Sequence, residues 1–171
     1  MPTMKSYLVD HIPHEKAPWR FEAETPGRRR GRELAQKASC SSCPVLILGP
    51  TGVGKEVLAE DIHRHSDRAS GPFVSVNCAA ITPSLFESEF FGHTRGSFTG
   101  ATRDKAGYVE LADGGVLFLD EIGELSADAQ AKLLRFLAKG TYWPVGSTRE
   151  RRADVRVIAA THRRIDEALG R

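Results

Sequence analysis

Lys55 closes the run Gly49-Pro50-Thr51-Gly52-Val53-Gly54-Lys55, and further along the chain Asp120 and Glu121 stand side by side. Glycines let successive backbone N–H groups curl around phosphate oxygens, and a following helix adds the positive end of its dipole. The lysine then supplies a point charge for the β- and γ-phosphates. An acid that ends an apolar strand can hold magnesium through water, and the acid after it can orient an attacking water. Together these residues could transfer the terminal phosphoryl group of a nucleoside triphosphate to water. Each half also has a plainer reading: a glycine-rich turn, and two carboxylates favoured at a helix start by its dipole. Glu56 occupies the place after the lysine where Ser or Thr usually binds magnesium. No guanine-specific motif is evident, and the residues do not discriminate adenine from guanine.

Such groups act only if strands and helices hold them together. Val45–Leu48 is an apolar run between Pro44 and Gly49, the pattern of a strand buried on both faces. Lys55–His65 reads as a helix with Leu58 and Ile62 on one side. Phe73–Asn77 is a second strand and Ser84–Phe91 a second helix, followed by a loop from Gly92 to Ala106. Val116–Asp120 is a third strand, apolar until its last residue. Ser126 can cap a helix with Leu133, Leu134 and Leu137 inward, and Gly140 can end it. Tyr142–Thr148, with Pro144 and Gly146, reads as a turn, Val155–Ala160 as a fourth strand, and a last helix starts near Ile165. A short helix over Glu33–Ala38 precedes them all. Strands alternating with helices predict an α/β fold, a parallel sheet covered by helices on both faces with its ligand at the strands' carboxyl ends.

The 171 residues suit one domain with a sizeable core, expected over 21–171 behind an N-terminal tail or linker at 1–20. A net charge of +2 is too balanced to argue for nucleic-acid binding by overall field. The basic run Arg28, Arg29, Arg30 and Arg32 reads first as a solvated helix face, and second as a phosphate or nucleic-acid contact. No apolar run is long enough to cross a bilayer, and the N-terminus has no apolar export signal, so cytoplasmic residence without membrane contact is expected. Three cysteines argue against a disulfide framework. Cys40 and Cys43 read as reduced surface or half-buried thiols, ahead of a redox or zinc motif. Cys78 reads as a small buried hydrophobe.

Between the two halves of the nucleotide motif lies Gly96-Ser97-Phe98-Thr99-Gly100-Ala101. A phenylalanine in a surface glycine-rich loop is exposed apolar area, which favours a partner. With VLILGPTGVGKE, FVSVNCAAI, SEFFGHTRGSFTGA, GYVELADGGVLFLDEIGEL, AKLLRFL, PVGS and DVRVIAATHR in this order, the chain resembles the AAA+ P-loop NTPase domain of bacterial sigma-54-dependent transcriptional activators. The likeness runs from about Glu33 to the last residue. GSFTGA is its most specific element, because that family uses a GAFTGA-like loop to engage sigma-54.

The resemblance implies ATP and Mg2+ as cofactors, with Gly49 to Glu56 as the Walker A segment and Asp120 and Glu121 as the Walker B acids. Glu56 after the lysine is usual in that family. Asp120 would hold magnesium through water. Asn77 would be the switch asparagine that hydrogen-bonds the Walker B glutamate; its plainer reading is a strand-end amide turning the chain. His162 stands where the family's first sensor carries asparagine, and can still donate to the γ-phosphate or its water. Phe98 and Thr99 would form the tip that contacts sigma-54 RNA polymerase, with Tyr142–Thr148 as a supporting second loop. Ser97 for alanine, Pro50 for an acid and Val116 for threonine are departures from the family pattern. The resemblance further implies a homo-hexamer when complete, with DNA contacted only through other regions. Its arginine fingers and helical lid lie beyond Arg171, so neither Arg163 nor Arg164 takes the finger role by proximity. The expected function is an ATP-driven remodeller of the sigma-54 RNA polymerase closed complex, with weak ATPase activity in the isolated piece. The alternatives are an AAA+ ATPase with another client, or a nucleotide-binding fragment without turnover.

Overall fold

The computed structural model describes Tyr7–Leu8 and residues 26–162. In chain order the elements are β1 (Tyr7–Leu8), α1 (Pro26–Ser39), β2 (Val45–Leu48), α2 (Lys55–Arg64), β3 (Phe73–Asn77), α3 (Phe86–Phe91), α4 (Tyr108–Leu111), β4 (Val116–Asp120), α5 (Ala127–Lys139), β5 (Thr141–Tyr142), β6 (Arg151–Arg152) and β7 (Arg156–Thr161). Single 3-10 turns follow β3 at Cys78–Ala80 and β4 at Ile122–Glu124. The main sheet runs β1-β2-β7-β4-β3, and every pairing in it is parallel. Tyr7–Leu8, in the segment expected to be a tail, lies beside Ile47 and Leu48 of β2. The helix expected from Ile165, and with it Arg163 and Arg164, lies outside the described residues.

β4 shows why the sheet needs helices on both sides. Its first four residues are fully buried, and their side chains alternate between faces. Val116 and Phe118 pack with Ala35 and Ala38 of α1 and Leu58, Ala59 and Ile62 of α2. Leu117 and Leu119 pack with Phe86, Phe90 and Phe91 of α3 and Leu133 and Phe136 of α5. The layered α/β architecture expected from the sequence is therefore present. Arg156, buried at the start of β7, binds the first layer in place: its guanidinium donates to Ala38 O at 2.6 Å and to Cys43 O at 3.4 Å. A cation at the carboxyl end of α1 also opposes the negative pole of that helix.

The caps of α5 are those expected. Ser126 Oγ accepts from Ala129 N at 3.3 Å, and Gly140, at φ 67°, donates its N–H to Phe136 O at 2.7 Å. Its inward face is different from the one expected. Ala129, Leu133 and Phe136 are buried at helical spacing, whereas Leu134 is 66% exposed and Leu137 37%. A run of two leucines cannot place both on one stripe, and the bulkier Phe136 sets which stripe faces the sheet. Other differences are of extent. α1 begins at Pro26, a residue suited to a helix's first turn, rather than at Glu33. Tyr142 is not in a turn but in β5, paired antiparallel with β6.

Phe118→Ala should cost about 3–5 kcal/mol, as for large buried aromatics. Leu134→Ala should cost under about 0.5 kcal/mol, as for exposed positions. Urea unfolding followed by circular dichroism would read both, and comparable losses would contradict the assigned faces.

Candidate nucleotide site

β2, β7 and β4 end next to one another, and their ends build the site. Val45–Leu48 of β2 pairs with Ile158–Thr161 of β7, and Gly49 N donates to Thr161 O at 3.2 Å, extending the ladder one step. The chain then turns through Gly49 to Gly54. Gly52 and Gly54 sit at φ 82° and 89°, the left-handed region that only glycine adopts without strain. A Cβ at Gly54 would meet nothing within 4 Å, so conformation rather than space requires glycine there. No side chain caps α2; its first intrahelical bond is Leu58 N to Gly54 O at 3.1 Å, which leaves earlier N–H groups for a ligand. Pro50 and Thr51 are exposed on the loop, and Val53 is half-buried.

Lys55 is buried at 6% exposure, and its ammonium bridges the two halves of the motif. Nζ donates to Gly49 O at 3.2 Å and to Glu121 Oε1 at 3.1 Å. The other carboxylate oxygen, Oε2, accepts from His162 Nδ1 at 2.6 Å and from His162 N at 3.2 Å. Burial pushes the Glu121 carboxyl up, but the hydrogen bonds from His162 and Lys55 outweigh it, and the group lies below its ordinary value. Glu121 is also the only described non-glycine residue with positive φ, at 52°. Asp120, half-buried at the end of β4, accepts from Glu121 N through Oδ1 at 3.0 Å. This donor set fits an anion: an ammonium, an imidazole and a backbone N–H converge on the Glu121 carboxylate, and the ammonium belongs to the first residue of α2.

Two residues point elsewhere than the resemblance implied. Asn77 lies beside Asp120 in the sheet register, yet its Oδ1 accepts from Ala79 N at 3.0 Å and caps the following 3-10 turn. Glu121 is bound to Lys55 and His162 instead, so the asparagine–glutamate bond is not formed here. Glu56 accepts from Ser75 Oγ at 2.8 Å, fastening the start of α2 to β3. Ser75 was not singled out from the sequence, and nothing in its type or spacing marks it as the partner of Glu56.

The GSFTGA segment forms a closed loop. His93 and Lys105 exchange backbone hydrogen bonds at 3.0 and 2.9 Å to make its stem, and Gly96 N donates to Ala101 O at 2.8 Å. Gly96, Phe98, Thr99 and Gly100 are exposed, Ser97 is half-buried, and Ala101 is buried and closes the loop rather than forming its surface. Phe98 rests edge-on against His93, with ring centroids 4.9 Å apart. The Tyr142–Thr148 segment buttresses the stem: Thr94 N donates to Val145 O, and Val145 N to Gly92 O. A Cβ on Gly146, at φ 78°, would come within 2.5 Å of Ser97 Cβ, so glycine is needed there for close approach.

A strand–glycine loop–helix unit with acids at the end of the next strand but one in the sheet defines a P-loop nucleotide site in a parallel α/β domain. Residues 22–171 match the family described as the Sigma-54 interaction domain, and the chain belongs to that family. It is 59% identical over 124 residues to the nitric oxide reductase transcription regulator NorR1 of Cupriavidus necator, covering 72% of this chain and 24% of that protein. It is 50% identical over 136 residues to the Nif-specific regulatory protein of Rhodobacter capsulatus, covering 80% and 24%. The chain thus spans about a quarter of the length of these curated relatives. Among solved structures, NtrX from Brucella abortus in complex with ATP superposes with a TM-score of 0.75 at 36% identity, covering 84% of this chain and 30% of that one.

Cys78, 1% exposed beside the site, is pushed up to about 12 by burial and by the charges of Asp120 and Glu121. Cys40 is exposed. Iodoacetamide at about pH 8.5, where only thiolates react, should therefore label Cys40 and spare Cys78 until denaturant is added. Mass spectrometry of the alkylated peptides would show it, and early labelling of Cys78 would contradict the packing.

Proposed function

We propose that this chain is the ATP-binding motor of a sigma-54-dependent transcriptional activator, coupling ATP hydrolysis to remodelling of the sigma-54 RNA polymerase closed complex. The observation that carries this reading is the meeting of Lys55, Glu121 and His162 at one anion position, in a chain whose exposed Phe98 stands on a braced loop. Family membership and the ATP named for NtrX support the nucleotide.

In this mechanism the backbone of Gly49 to Gly54 and the start of α2 cradle the phosphates, and Lys55 neutralises the bridging and terminal oxygens. Asp120 would hold Mg2+ through water. Among the described residues no group of three or more His, Cys, Asp or Glu side chains surrounds a common metal position. Magnesium here would depend on Asp120, water and phosphate oxygens, its usual arrangement in such sites. The ion would spread the charge of the departing phosphoryl group. Glu121 orients the attacking water, and the transfer itself needs positioning and electrostatics rather than covalent help. Asn77, which caps the turn after β3 in this structure, would link that strand end to the acids by exchanging this bond for one to Glu121. Phe98 and Thr99 then meet sigma-54. In the assembled activator the motor works as a cytoplasmic homo-hexamer, with DNA contacted through other regions.

The test is binding of the chain to purified sigma-54 in the presence of ADP and aluminium fluoride. Thr99→Ala and Phe98→Ala should each weaken the complex at least about tenfold, as for central interface residues. Lys55→Ala should remove the nucleotide dependence. Unchanged binding in both loop variants would overturn the sigma-54 assignment.

A further inference from the structure

The carboxylate that should orient water is held by the groups that should hold phosphate. Lys55 Nζ reaches Glu121 Oε1 at 3.1 Å, while His162 closes on Oε2 with its ring at 2.6 Å and its backbone N–H at 3.2 Å. A carboxylate bound on one side by an ammonium and on the other by an imidazole is received much as a phosphate face would be. We infer that Glu121 is a resident competitor for the terminal phosphate of the nucleotide, and that His162 is the positioning residue that keeps it there. The inference rests on the nucleotide reading of the site and adds how that site tells a triphosphate from a diphosphate.

Three observations bear on it. Lys55 is buried, and an ammonium removed from water needs an anion or a full set of acceptors. Among the described residues its acceptors are Gly49 O and Glu121, so the carboxylate is the anion that matches the lysine. Second, Glu121 adopts φ 52° and ψ 49°, a left-handed conformation that carries a steric cost for a residue with a side chain. The bonds to Lys55 and His162 are what offset that cost. Third, His162 is 45% exposed, and both its ring Nδ1 and its backbone N–H are directed at the same carboxylate oxygen of Glu121.

A phosphate oxygen and the Glu121 carboxylate cannot both take these donors, since two anions would then share one small region. Lysine reaches both β- and γ-phosphates in such loops, so a diphosphate need only borrow Lys55 and leaves the carboxylate on His162. A triphosphate has to empty the whole subsite. Displacing Glu121 also frees it to turn to water, so the same event that seats the terminal phosphate releases the water-orienting group. If His162 were instead only a phosphate donor, removing its ring would weaken triphosphate binding. Competition predicts the opposite sign.

The experiment measures dissociation constants of AMP-PNP and ADP by calorimetry for the wild-type chain, Glu121→Gln, His162→Ala, His162→Asn and the Glu121→Gln/His162→Ala double variant. If the latched form occupies about nine tenths of the free protein, apparent triphosphate affinity is about tenfold below the intrinsic one. Glu121→Gln should therefore raise the preference for AMP-PNP over ADP about tenfold. His162→Ala should raise it by a smaller factor, and His162→Asn, which keeps a donor, by less again. The double variant should match Glu121→Gln alone, because both changes undo one contact. A preference that falls or stays fixed in His162→Ala overturns the inference, as do gains that multiply in the double variant, which would indicate simple charge removal. If the wild-type chain binds neither nucleotide, the nucleotide reading falls with it; if it binds both and the ratio does not move, the competition alone is rejected.

Discussion

A buried ammonium has to be matched by an anion or by a full set of acceptors, and the carboxyl edge of the sheet supplies Lys55 with a carboxylate and a carbonyl. The parallel register places Leu48 beside Thr161 and Asn77 beside Asp120, so the phosphate loop, the acids and His162 come from adjacent strand ends. Side chains in a strand alternate, so a slip of one residue in β4 would exchange Phe118 with Leu119 between the two core layers. It would also move Asp120 and Glu121 along the edge. The apolar core therefore fixes the polar site: the packing of Val116 and Phe118 on α1 and α2, and of Leu117 and Leu119 on α3 and α5, specifies where the acids emerge.

The phosphate helix and the loop-bearing helix lie on opposite faces of this sheet. α2 packs with Phe118, and α3 packs with Leu117 and Leu119. Communication between them has to cross β3 and β4 or pass around their ends. Two polar contacts stand on that route. Glu56 at the start of α2 is bonded to Ser75 of β3, and two residues further along the same strand Asn77 caps the turn that leads toward α3. A glutamate after the lysine thus has a structural use here, accepting from Ser75 at 2.8 Å.

Long apolar runs and glycine spacing made the central strands, α2 and the phosphate loop legible, since burial on both faces leaves a strand no polar positions to confuse the pattern. Ser126 and Gly140 marked α5 because caps obey local hydrogen-bond chemistry. The face of α5 was not legible: Leu133, Leu134 and Leu137 are alike in type, and only the partner surface decides among them. α4, at four residues, is too short to show a period, and the β5–β6 pair of two residues each is defined by its partner rather than its composition. At the site, residue types indicated Lys55, Asp120 and Glu121, but not which donors the glutamate would choose. Asn77 and His162 compete for such roles over distances that depend on tertiary structure alone, and here the histidine holds the carboxylate while the asparagine serves a turn.

The stem of the GSFTGA loop is joined firmly to the core. Phe90 and Phe91 lie just before Gly92, and Phe91 packs against Phe136 of α5 and Tyr142 of β5. The His93–Lys105 bridge and the bonds from Gly92 and Thr94 to Val145 then join the stem to the second loop on its other side. Aromatic packing of this kind resists small displacements, because interiors are dense and repack in discrete steps. Local rearrangement is consequently easiest in residues beyond the bridge and the Thr94 bond, 95–104, where Gly96 and Gly100 at φ 80° and 102° supply unusual backbone freedom. Moving the stem itself requires α3 and the second loop to shift together. A lever that swings Phe98 over a large distance must therefore act on α3 as a body, whereas a lever that only lifts the ring from His93 can work through residues 95–104 alone.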